Sequence, residues 1–496
     1  MPCAGSGMTH RAAATSSPLR DAPYALWLLA VVVLPALGAG LHICGEWSGT
    51  IPTPQLPTES LVGPASVPPP PDGVVATIPV GPNPSAPAVE PGTGDLAVSY
   101  YAASGLADQE WFGDVAQIST QTDAVVGRVP VGAVPSTPVY DDDNATLYVP
   151  NSLSGNLTAL SEPSGRDVGT VTLGPPSEIG ACGASRSPDV VLSVQIDPAS
   201  GQAFAPIAPQ CYVSTLPNWT NDSFVETVSL SNLSAGVLVP VGVGQVSLGS
   251  MGLYAATGTL YVPYTELTTD EGYVDAINVT NDTVAATIPV PPEPESLTFD
   301  AAAGELFVSG YATDNLTILN LTANKAVANV TLPYPDAQGT LDPIDQSLYF
   351  APGCSPGGGG AGNLTLLADG SAAYVGSVRL ASVCGRPVYD SINDDVFVPG
   401  TGTVTVLAGA NGAQIGTISV GQGPLPPTVD PATGVMYVSN VFSGTVSVLG
   451  QVAPHPGGRL GLPGGVWLEI EGSTIGATMA VGAGLLIYRN FHTKRR

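Results

Sequence analysis

The sequence predicts an all-β fold, a β-propeller of eight four-stranded blades. The first observation behind this prediction is a turn followed by a hydrophobic strand that recurs eight times. The second is a β-branched strand that closes each unit. The third is the composition, with 60 Gly, 49 Pro and only 11% charged residues, which is typical of short strands joined by turns.

The repeated units differ in length but keep one internal spacing. Their turn residues are 40 (Asp390 to Asp430) to 57 (Asp197 to Tyr254) positions apart, which suits a propeller blade and is too long for one coil of a solenoid. Seven blades are the alternative if the degenerate first or third unit packs irregularly. Each turn residue lies seven positions before the second residue of its strand, in the pairs Glu90 and Ala97, Asp141 and Tyr148, Asp197 and Phe204, Tyr254 and Tyr261, Asp300 and Phe307, Asp342 and Tyr349, Asp390 and Phe397, and Asp430 and Tyr437.

The chain begins with segments typical of an exported protein. Residues 1–21 form a basic N-terminal region, and residues 22–43 form a hydrophobic signal peptide or signal anchor. Small residues at 38–40 offer a cleavage site. Lipidation of Cys44 is an alternative, although the residues before it fit a lipoprotein box poorly. Residues 44–73 are a Pro-rich linker, which we expect to be extended.

The propeller itself is predicted to span residues 74–450. Strand 74–80 precedes the first full unit, whereas the last unit stops at Leu449 without a closing strand. We therefore expect 74–80 to pair into the last blade, because closing the ring removes a free sheet edge. The other closing strands are 125–131, 168–173, 237–243, 284–290, 327–332, 375–380 and 415–420.

The C-terminal part, like the N-terminal part, contains a linker, a hydrophobic segment and a basic region. A Pro/Gly linker at 451–465 precedes a predicted transmembrane anchor at 466–488 and a basic cytoplasmic tail at 489–496. Within the anchor, residues 472–488 are an uncharged stretch of 17 residues followed at once by Arg489, which fits the positive-inside rule. An interfacial or buried helix is the alternative. We expect a plasma-membrane protein with the propeller outside the cell, held by this helix and, if uncleaved, by 22–43.

Eleven Asn-x-Ser/Thr sequons lie between the two hydrophobic segments and predict an exported, N-glycosylated surface. None follows Asn363, so the last two blades are predicted to present a bare surface for contacts; the alternative is that this gap arises by chance. The sequon residues are Asn144, Asn156, Asn218, Asn221, Asn232, Asn278, Asn281, Asn315, Asn320, Asn329 and Asn363.

Four cysteines of the ring predict two disulfide bonds. Cys182 and Cys384 fall in loops that enter a blade, and Cys211 and Cys354 fall just after a second strand. In an up-and-down blade these two kinds of loop share one face of the ring, so Cys182–Cys211 and Cys354–Cys384 are plausible bridges. Metal binding is the alternative, but neither CxxC spacing nor a nearby His supports it.

Composition excludes several function classes. The formal charge of −27 would repel nucleic-acid phosphates, so we expect no nucleic-acid partner. All four histidines lie outside 74–450, which removes His-based catalysis and His metal ligands from the ring. Lysine and arginine are scarce there, and no phosphate-binding loop occurs. The sequence offers no catalytic residue, cofactor-binding residue or metal ligand that we can name, and paired carboxylates are the one enzymatic chemistry left open.

The repeated turn aspartates are predicted to be structural. In units such as Asp430-Pro-Ala-Thr-Gly434 an Asp side chain accepts hydrogen bonds from the amides of its own turn. A ring of metal-binding carboxylates is the alternative. The triplet Asp141-Asp142-Asp143 offers further acceptors, and Ca²⁺ binding there is the alternative to a solvated loop tip.

Three aromatic residues are candidates for ligand contact. Trp111, Phe112 and Trp219 are expected in inserted loops of the early blades, where aromatic side chains stack on sugar rings or anchor a protein partner. The alternative is that they pack a loop over the ring.

The strands Leu147-Tyr148-Val149-Pro150 and Met436-Tyr437-Val438-Ser439-Asn440, with Gly444 to Leu449 after the second, resemble the YVTN-type β-propeller repeats of prokaryotic surface-layer-associated and exported proteins. Leu96-Ala97-Val98 departs from the pattern because it lacks the aromatic residue. The resemblance implies an extracellular adhesion or scaffolding module without an assigned reaction.

These observations lead to a functional hypothesis. We expect a non-enzymatic, membrane-anchored extracellular propeller that binds a cell-envelope protein or glycan. One alternative is an exported carbohydrate-active enzyme that uses paired carboxylates, and another is a structural envelope component that assembles with itself.

Overall fold

The computed structural model describes most of the predicted ring and two short segments after it. The described residues are 73–103, 111–162, 164–174, 190–191, 193–208, 223–242, 246–248, 250–266, 268–310, 313–333, 337–352, 360–368, 373–409, 411–450, 459–462 and 466–469. The chain divides into two compact units, residues 57–452 and residues 1–56 together with 453–496.

The larger unit is an all-β propeller of eight blades, as the repeats predict. Blade 1 contains β2 (Ala88–Val89), β3 (Leu96–Ala103), β4 (Trp111–Ser119) and β5 (Ala124–Val131). Blade 2 contains β6 (Val139–Asp141), β7 (Thr146–Asn151), β8 (Asn156–Ser161) and β9 (Arg166–Thr172). Blade 3 contains β10 (Val190–Val191), β11 (Gln195–Asp197), β12 (Gln202–Ala208), β13 (Ser223–Ser229) and β14 (Ser234–Val241). Blade 4 contains β15 (Val246–Leu248), β16 (Gly252–Tyr254), β17 (Thr259–Glu266), β18 (Glu271–Asn278) and β19 (Thr283–Val290).

The remaining blades follow the same antiparallel order. In blades 3 and 4 the first strand is split in two, and both pieces pair with the second strand. Blade 5 contains β20 (Pro294–Asp300), β21 (Glu305–Gly310), β22 (Asn315–Asn320) and β23 (Lys325–Thr331). Blade 6 contains β24 (Ala337–Asp342), β25 (Ser347–Pro352), β26 (Gly362–Ala368) and β27 (Ala373–Leu380). Blade 7 contains β28 (Val388–Asp390), β29 (Asp395–Pro399), β30 (Thr403–Ala408) and β31 (Gln414–Ser419). Blade 8 contains β32 (Thr428–Val429), β33 (Met436–Asn440), β34 (Thr445–Leu449) and β1 (Val74–Pro79).

The predicted closure of the ring is confirmed. Strand β1 pairs antiparallel with β34, with Ile78 opposite Val446 and Thr77 opposite Ser447. Blade 8 therefore takes three strands from the end of the ring and its fourth from the beginning. This pairing gives both the first and the last blade a neighbour on each side.

The burial of a strand depends on its position in the blade. Second and third strands are buried on both faces, as in β7 and β29. Fourth strands are outermost and alternate, so that Val126 and Val375 are more than 60% exposed. First strands of neighbouring blades lie side by side around the centre of the ring.

The aromatic residue of each repeat packs between blades. The described residues form eight hydrophobic clusters, one at each blade-to-blade interface. In seven of them the second strand supplies a buried aromatic ring to the next blade: Tyr148, Phe204, Tyr261, Phe307, Tyr349, Phe397 and Tyr437. Hydroxyl groups extend this contact, because the Tyr261 hydroxyl lies 3.1 Å from the Leu321 carbonyl oxygen of blade 5 and that of Tyr349 donates to the Gly409 carbonyl oxygen of blade 7.

The turn aspartates have the structural role that the sequence predicts. Oδ1 of Asp430 accepts the Ala432 amide at 2.9 Å, and Oδ1 of Asp300 accepts the Ala302 amide at 2.9 Å. Asp141, Asp197, Asp342 and Asp390 make the same contact with the amide two positions later. Gly434 closes its turn with φ of +72°, a conformation that favours glycine.

The two edges of the ring differ in the connections that they carry. The turn face, as we call it, carries the turns between first and second strands and between third and fourth strands. The opposite loop face carries the turns between second and third strands and the connections from one blade to the next. The aspartate turns all lie on the turn face.

The smaller unit is described only at a hairpin. Strands β35 (Arg459–Leu462) and β36 (Val466–Glu469) pair antiparallel, so the first four residues of the predicted 466–488 anchor are strand. The rest of that segment, and all of 1–43, lie outside the described residues. Within the part of the chain that the structure describes, no helix is long and apolar enough to cross a membrane.

Cysteine pairing is described at one residue. Cys384 is disulfide-bonded. The other three cysteines of the two predicted bridges, Cys182, Cys211 and Cys354, lie outside the described residues, so the pairing stays a prediction.

The closing strand supplies a direct test of ring closure. Ile78 is 2% exposed and packs in the cluster between blades 8 and 1, whereas Val75 on the same strand is 53% exposed. Because a buried Ile→Ala change removes transfer free energy and leaves a cavity, we expect Ile78→Ala to lower the free energy of unfolding by about 2–5 kcal/mol. Val75→Ala should change it by less than about 0.5 kcal/mol. Chemical denaturation measures both, and equal effects would contradict the closure.

Candidate functional site

Two of the predicted contact residues lie on a strand instead of an inserted loop. Trp111 and Phe112 begin β4 at the loop face, and the register explains the difference, since Trp111 pairs with Ala103 and Phe112 with Ala102. The expectation of an inserted loop is therefore wrong for these two residues. Trp219 lies outside the described residues.

Successive residues of a strand point to opposite faces of the sheet, so Trp111 and Phe112 separate. Trp111 is half-buried and packs edge to face on Tyr101, with ring centroids 5.8 Å apart. Phe112 lies on the other face and is 54% exposed. The structure thus assigns packing to the tryptophan and leaves the phenylalanine available for contact.

Phe112 lies on the face of blade 1 that packs against blade 8. By register this face carries Asp114 and Ala116 of β4 and Tyr100 of β3. Ala116 and Tyr100 pack in the cluster between blades 8 and 1. Phe112 therefore extends the apolar interface outward onto the loop face.

A groove of about 600 Å³ opens where blades 8 and 1 meet. One wall is the connection from β1 into blade 1, including Val80 and Asn83, and the other is the turn 441–444 of blade 8. Arg128 of β5 lines the groove from blade 1. We call this feature the closure groove, because the strand that closes the ring leads into it.

The most exposed apolar side chain along the closure groove is Phe442, at 84% exposure. Its turn is well fixed, because the Phe442 amide donates to the Gln422 carbonyl oxygen at 3.1 Å and the Gly444 amide to that of Asn440 at 2.9 Å. The ring lies over Gly423, where a Cβ atom would come within 2.6 Å of it. A rigid backbone therefore presents a large aromatic side chain to solvent.

Arg128 is held in place by two contacts. Its guanidinium carbon lies 5.0 Å from the centre of the Tyr100 ring, and Nη1 donates a hydrogen bond to the Val80 carbonyl oxygen. Burial raises the pKa of Tyr100 above its ordinary value, so this ring is neutral at physiological pH. The positive charge is therefore fixed at the side of the groove.

A glycine permits the close contact beneath the groove. Gly81 has φ of +152°, and a Cβ atom there would lie 2.2 Å from the Tyr100 ring. No side chain fits this position. The connection can therefore lie flat on Tyr100 only because residue 81 is glycine.

Predicted glycosylation sites lie away from the closure groove. Nine of the eleven sequon asparagines are described, and each is exposed or half-buried. By sequence the sequons fall in blades 2 to 6, so blades 7, 8 and 1 form a continuous arc without one. The closure groove lies within that arc.

The interface between blades 1 and 2 departs from the other seven. Ala97 stands where they have an aromatic residue, and its cross-strand partner Gln117 donates from Nε2 to Oε2 of Glu162 at 2.9 Å. Glu162 is 9% exposed, and burial raises its pKa to about 7. The charges of Glu90 and Asp95 also raise it.

A carboxyl group with such a pKa is the chemistry that a general acid requires. Glu162, however, lies on the turn face between two blades and fills an interblade contact that buried Leu321 and Val279 fill elsewhere. Oδ1 of Asp141, in the acidic triplet considered for Ca²⁺, accepts the Asp143 amide at 3.1 Å and so holds its turn. These contacts give both carboxylates a structural role, and Oε1 of Glu162 is buried without a hydrogen-bond partner among the described residues.

Comparisons with known proteins bear on the fold alone. No family model matches the chain, and no curated protein matches it. Among solved structures it is similar to Sqt1 of Saccharomyces cerevisiae, with 10% identity, a TM-score of 0.57, and coverage of 76% of this chain and 98% of that one. The Dos1 propeller matches with 9% identity, a TM-score of 0.52, and coverage of 76% and 95%. BamB of Moraxella catarrhalis matches with 13% identity, a TM-score of 0.50, and coverage of 77% and 98%.

The pKa of Glu162 predicts how stability depends on pH. A carboxyl whose pKa is raised from 4.5 to about 7 on folding binds its proton more tightly in the folded state. Its contribution is fully present below pH 4.5 and is lost as pH rises through about 7. We expect Glu162→Gln, which keeps a neutral partner for Gln117, to remove this part of the pH dependence and to stabilise the protein above pH 7.

Thermal unfolding between pH 4 and pH 8 measures this effect. Glu271→Gln, at an exposed position, is the control and should leave the wild-type pH profile unchanged. A Glu162→Gln profile parallel to that of the wild type would show that this carboxyl does not titrate between 4.5 and 7.

Proposed function

We propose that this chain is a non-enzymatic binding propeller and that its partner contacts the closure groove. The observation that carries the proposal is the exposed aromatic side chain of Phe442, held on a rigid turn beside a groove of about 600 Å³. An exposed aromatic side chain beside a concave groove is suited to anchor a partner, because buried aromatic anchors carry much of the binding energy of protein interfaces. Propellers are commonly used for protein binding, and the fold is consistent with this role.

The chemistry of the groove favours a protein partner over a glycan. Phe442 and a fixed Arg128 line the groove, and Phe112 is exposed on the same face of blade 1 as Tyr100; aromatic and guanidinium side chains dominate protein interface energetics. The lining contains no carboxylate, although the chain has 40 acidic residues. An envelope glycan is the second partner class, because aromatic rings also stack on sugars.

The cellular setting is part of the proposal. Residues 22–43 and 466–488 would anchor the protein in the plasma membrane, with linkers 44–73 and 451–465 holding the ring outside the cell. Accessible sequon asparagines support a glycosylated exterior. We propose that the chain is related to the YVTN-type surface propellers, whose repeats its Tyr-Val strands resemble, and the eight-blade ring is consistent with this relation.

Site-specific photo-crosslinking on intact cells tests the binding site. A photoreactive amino acid at position 442 should capture one distinct envelope protein, because this exposed side chain lines the groove, and one at the exposed position 112 of blade 1 should capture the same protein. The same residue at position 374 is the matched control, since Tyr374 is 59% exposed but lies on the outer strand of blade 6. Capture at 374 as strong as at 442 would contradict the site.

Substitution then measures the contribution of the aromatic ring. We expect Phe442→Ala to weaken binding of the captured partner by about tenfold or more, as for a central interface residue, with stability changed by less than about 0.5 kcal/mol. Tyr374→Ala should leave binding unchanged. Crosslinks to glycans alone would replace the protein partner, and crosslinks only to other copies would indicate a self-assembling envelope component.

A further inference from the structure

Three carboxylates from two neighbouring blades converge on the turn face. Asp342 and Asp345 belong to the first turn of blade 6, and Asp394 belongs to the first turn of blade 7. One oxygen of each lies within 4.8 Å of the others. Asp342 and Asp394 are 0% and 1% exposed, and Asp345 is half-buried and gives access to solvent.

One carboxylate oxygen of Asp342, Oδ2, accepts no hydrogen bond from the backbone of its own turn. Oδ1 accepts the amides of Ile344 at 2.9 Å and Asp345 at 3.2 Å, as in the other aspartate turns. Oδ2 is buried, and none of the residues that the structure describes donates a hydrogen bond to it. It faces the cluster, since a Cβ atom on Gly409 would lie 2.8 Å from it and 2.7 Å from Oδ1 of Asp394. A fully buried carboxylate oxygen without a donor costs free energy unless something else satisfies it.

The next two blades show how this oxygen is ordinarily satisfied. In blade 7, Nδ2 of Asn393 donates to Oδ2 of Asp390 at 2.8 Å, and in blade 8 the Thr433 hydroxyl donates to Oδ2 of Asp430. Both donors stand three positions after their aspartate. In blade 6 that position is Asp345, whose carboxylate can only accept hydrogen bonds.

Neighbouring groups do not supply the missing donor or a balancing charge. The Tyr389 hydroxyl lies close to the carboxylates of both Asp342 and Asp394, but it has one proton, which it donates to Oδ1 of Asp394 at 3.1 Å. By sequence, Arg379 and Arg386 are the only basic residues of blades 6 and 7. Arg379 is exposed near the loop-face end of β27, and Nε of Arg386 donates to the Gly339 carbonyl oxygen at 3.0 Å.

We propose that Asp342, Asp345 and Asp394 bind a Ca²⁺ ion that links blade 6 to blade 7. Ca²⁺ bonds of 2.3–2.6 Å place ligand oxygens at most about 5 Å apart, which the observed separations satisfy. The ligands are all oxygens, which Ca²⁺ prefers, and the site lacks the imidazole and thiolate groups of zinc sites. Three carboxylates completed by solvent suit the weak affinities of extracellular modules, with a Kd of about 10⁻⁴–10⁻³ M.

Terbium luminescence of the full-length protein in detergent tests this site. Tb³⁺ replaces Ca²⁺, and Tyr389 lies close enough to sensitise its emission. We expect emission from the wild type that Ca²⁺ displaces and Mg²⁺ displaces at least tenfold less well. Ca²⁺ should also raise the midpoint of thermal unfolding, because it binds the folded state.

Asp345→Asn is the decisive variant, because it places at position 345 the donor that Asn393 supplies in blade 7. It should fold with unchanged or higher stability without Ca²⁺ and lose the Ca²⁺-sensitive emission and the thermal shift. Asp394→Asn should weaken Tb³⁺ binding by about tenfold or more through loss of a charged ligand. Asp142→Asn, at an exposed position of the acidic triplet, is the control and should keep both responses.

Each contrary result overturns the proposal. A wild type without Ca²⁺-sensitive emission would mean that the three carboxylates balance their charge with protons instead of a metal ion. Loss of the response in Asp142→Asn but not in Asp345→Asn would move the ion to blade 2. Displacement by Mg²⁺ as effective as by Ca²⁺ would exclude the assigned cation.

Discussion

The whole ring depends on one constraint, which is that each blade has two apolar faces. In β7 every residue is buried, and alternate residues such as Tyr148 and Val149 serve opposite neighbours. A sheet of this kind cannot stand at the end of a row, because its outer face would remain in water. A closed ring covers every face with the same repeating contact, and strand β1 completes it from the other end of the chain. The order of the strands, the burial of the aromatic residues and the position of the closure groove all follow from this requirement.

Features encoded locally could be predicted from the sequence, and features that depend on neighbours could not. The eight turns, the aspartate contacts and the closing strand 74–79 each lie within one repeat or follow from counting repeats. The contact of Phe442 with the groove depends on residues more than 300 positions away in blade 1, and no periodicity encodes that distance. Trp111 and Phe112 were recognisable as candidates, but only the strand register separates the packed residue from the exposed one. The pairing of Gln117 with Glu162 likewise requires two adjacent blades.

Blade 1 shows how a repeat protein accommodates a degenerate unit. The loss of the aromatic residue at Ala97 was visible in the sequence, but its consequence lies in the next blade, where Gln117 and Glu162 occupy the interface. A polar pair stabilises the interface less than an aromatic ring does, because a buried carboxyl group must lose either its charge or its hydration. The interface therefore exchanges packing for a carboxyl group whose pKa is raised to about 7, and this junction contributes a pH dependence to the stability of the ring.

The two faces of the ring are suited to different tasks. Side chains on the turn face hold the backbone of their own turns by hydrogen bonds, whereas Phe442 on the loop face does not. On the turn face the repeated aspartates hold their own backbones, so an additional ligand there can only use the oxygen that the turn leaves over. An ion between blades 6 and 7 would serve the same purpose as the tyrosine hydroxyl groups, which also join one blade to the next. On the loop face the turn 441–444 is fixed by backbone hydrogen bonds and by the Ser443 hydroxyl, which accepts the Gln422 amide, so holding the turn does not depend on the side chain of Phe442. A side chain that is not needed to hold its turn is free to bind a partner, and the closure groove, where the chain enters and completes the ring, presents this one to solvent.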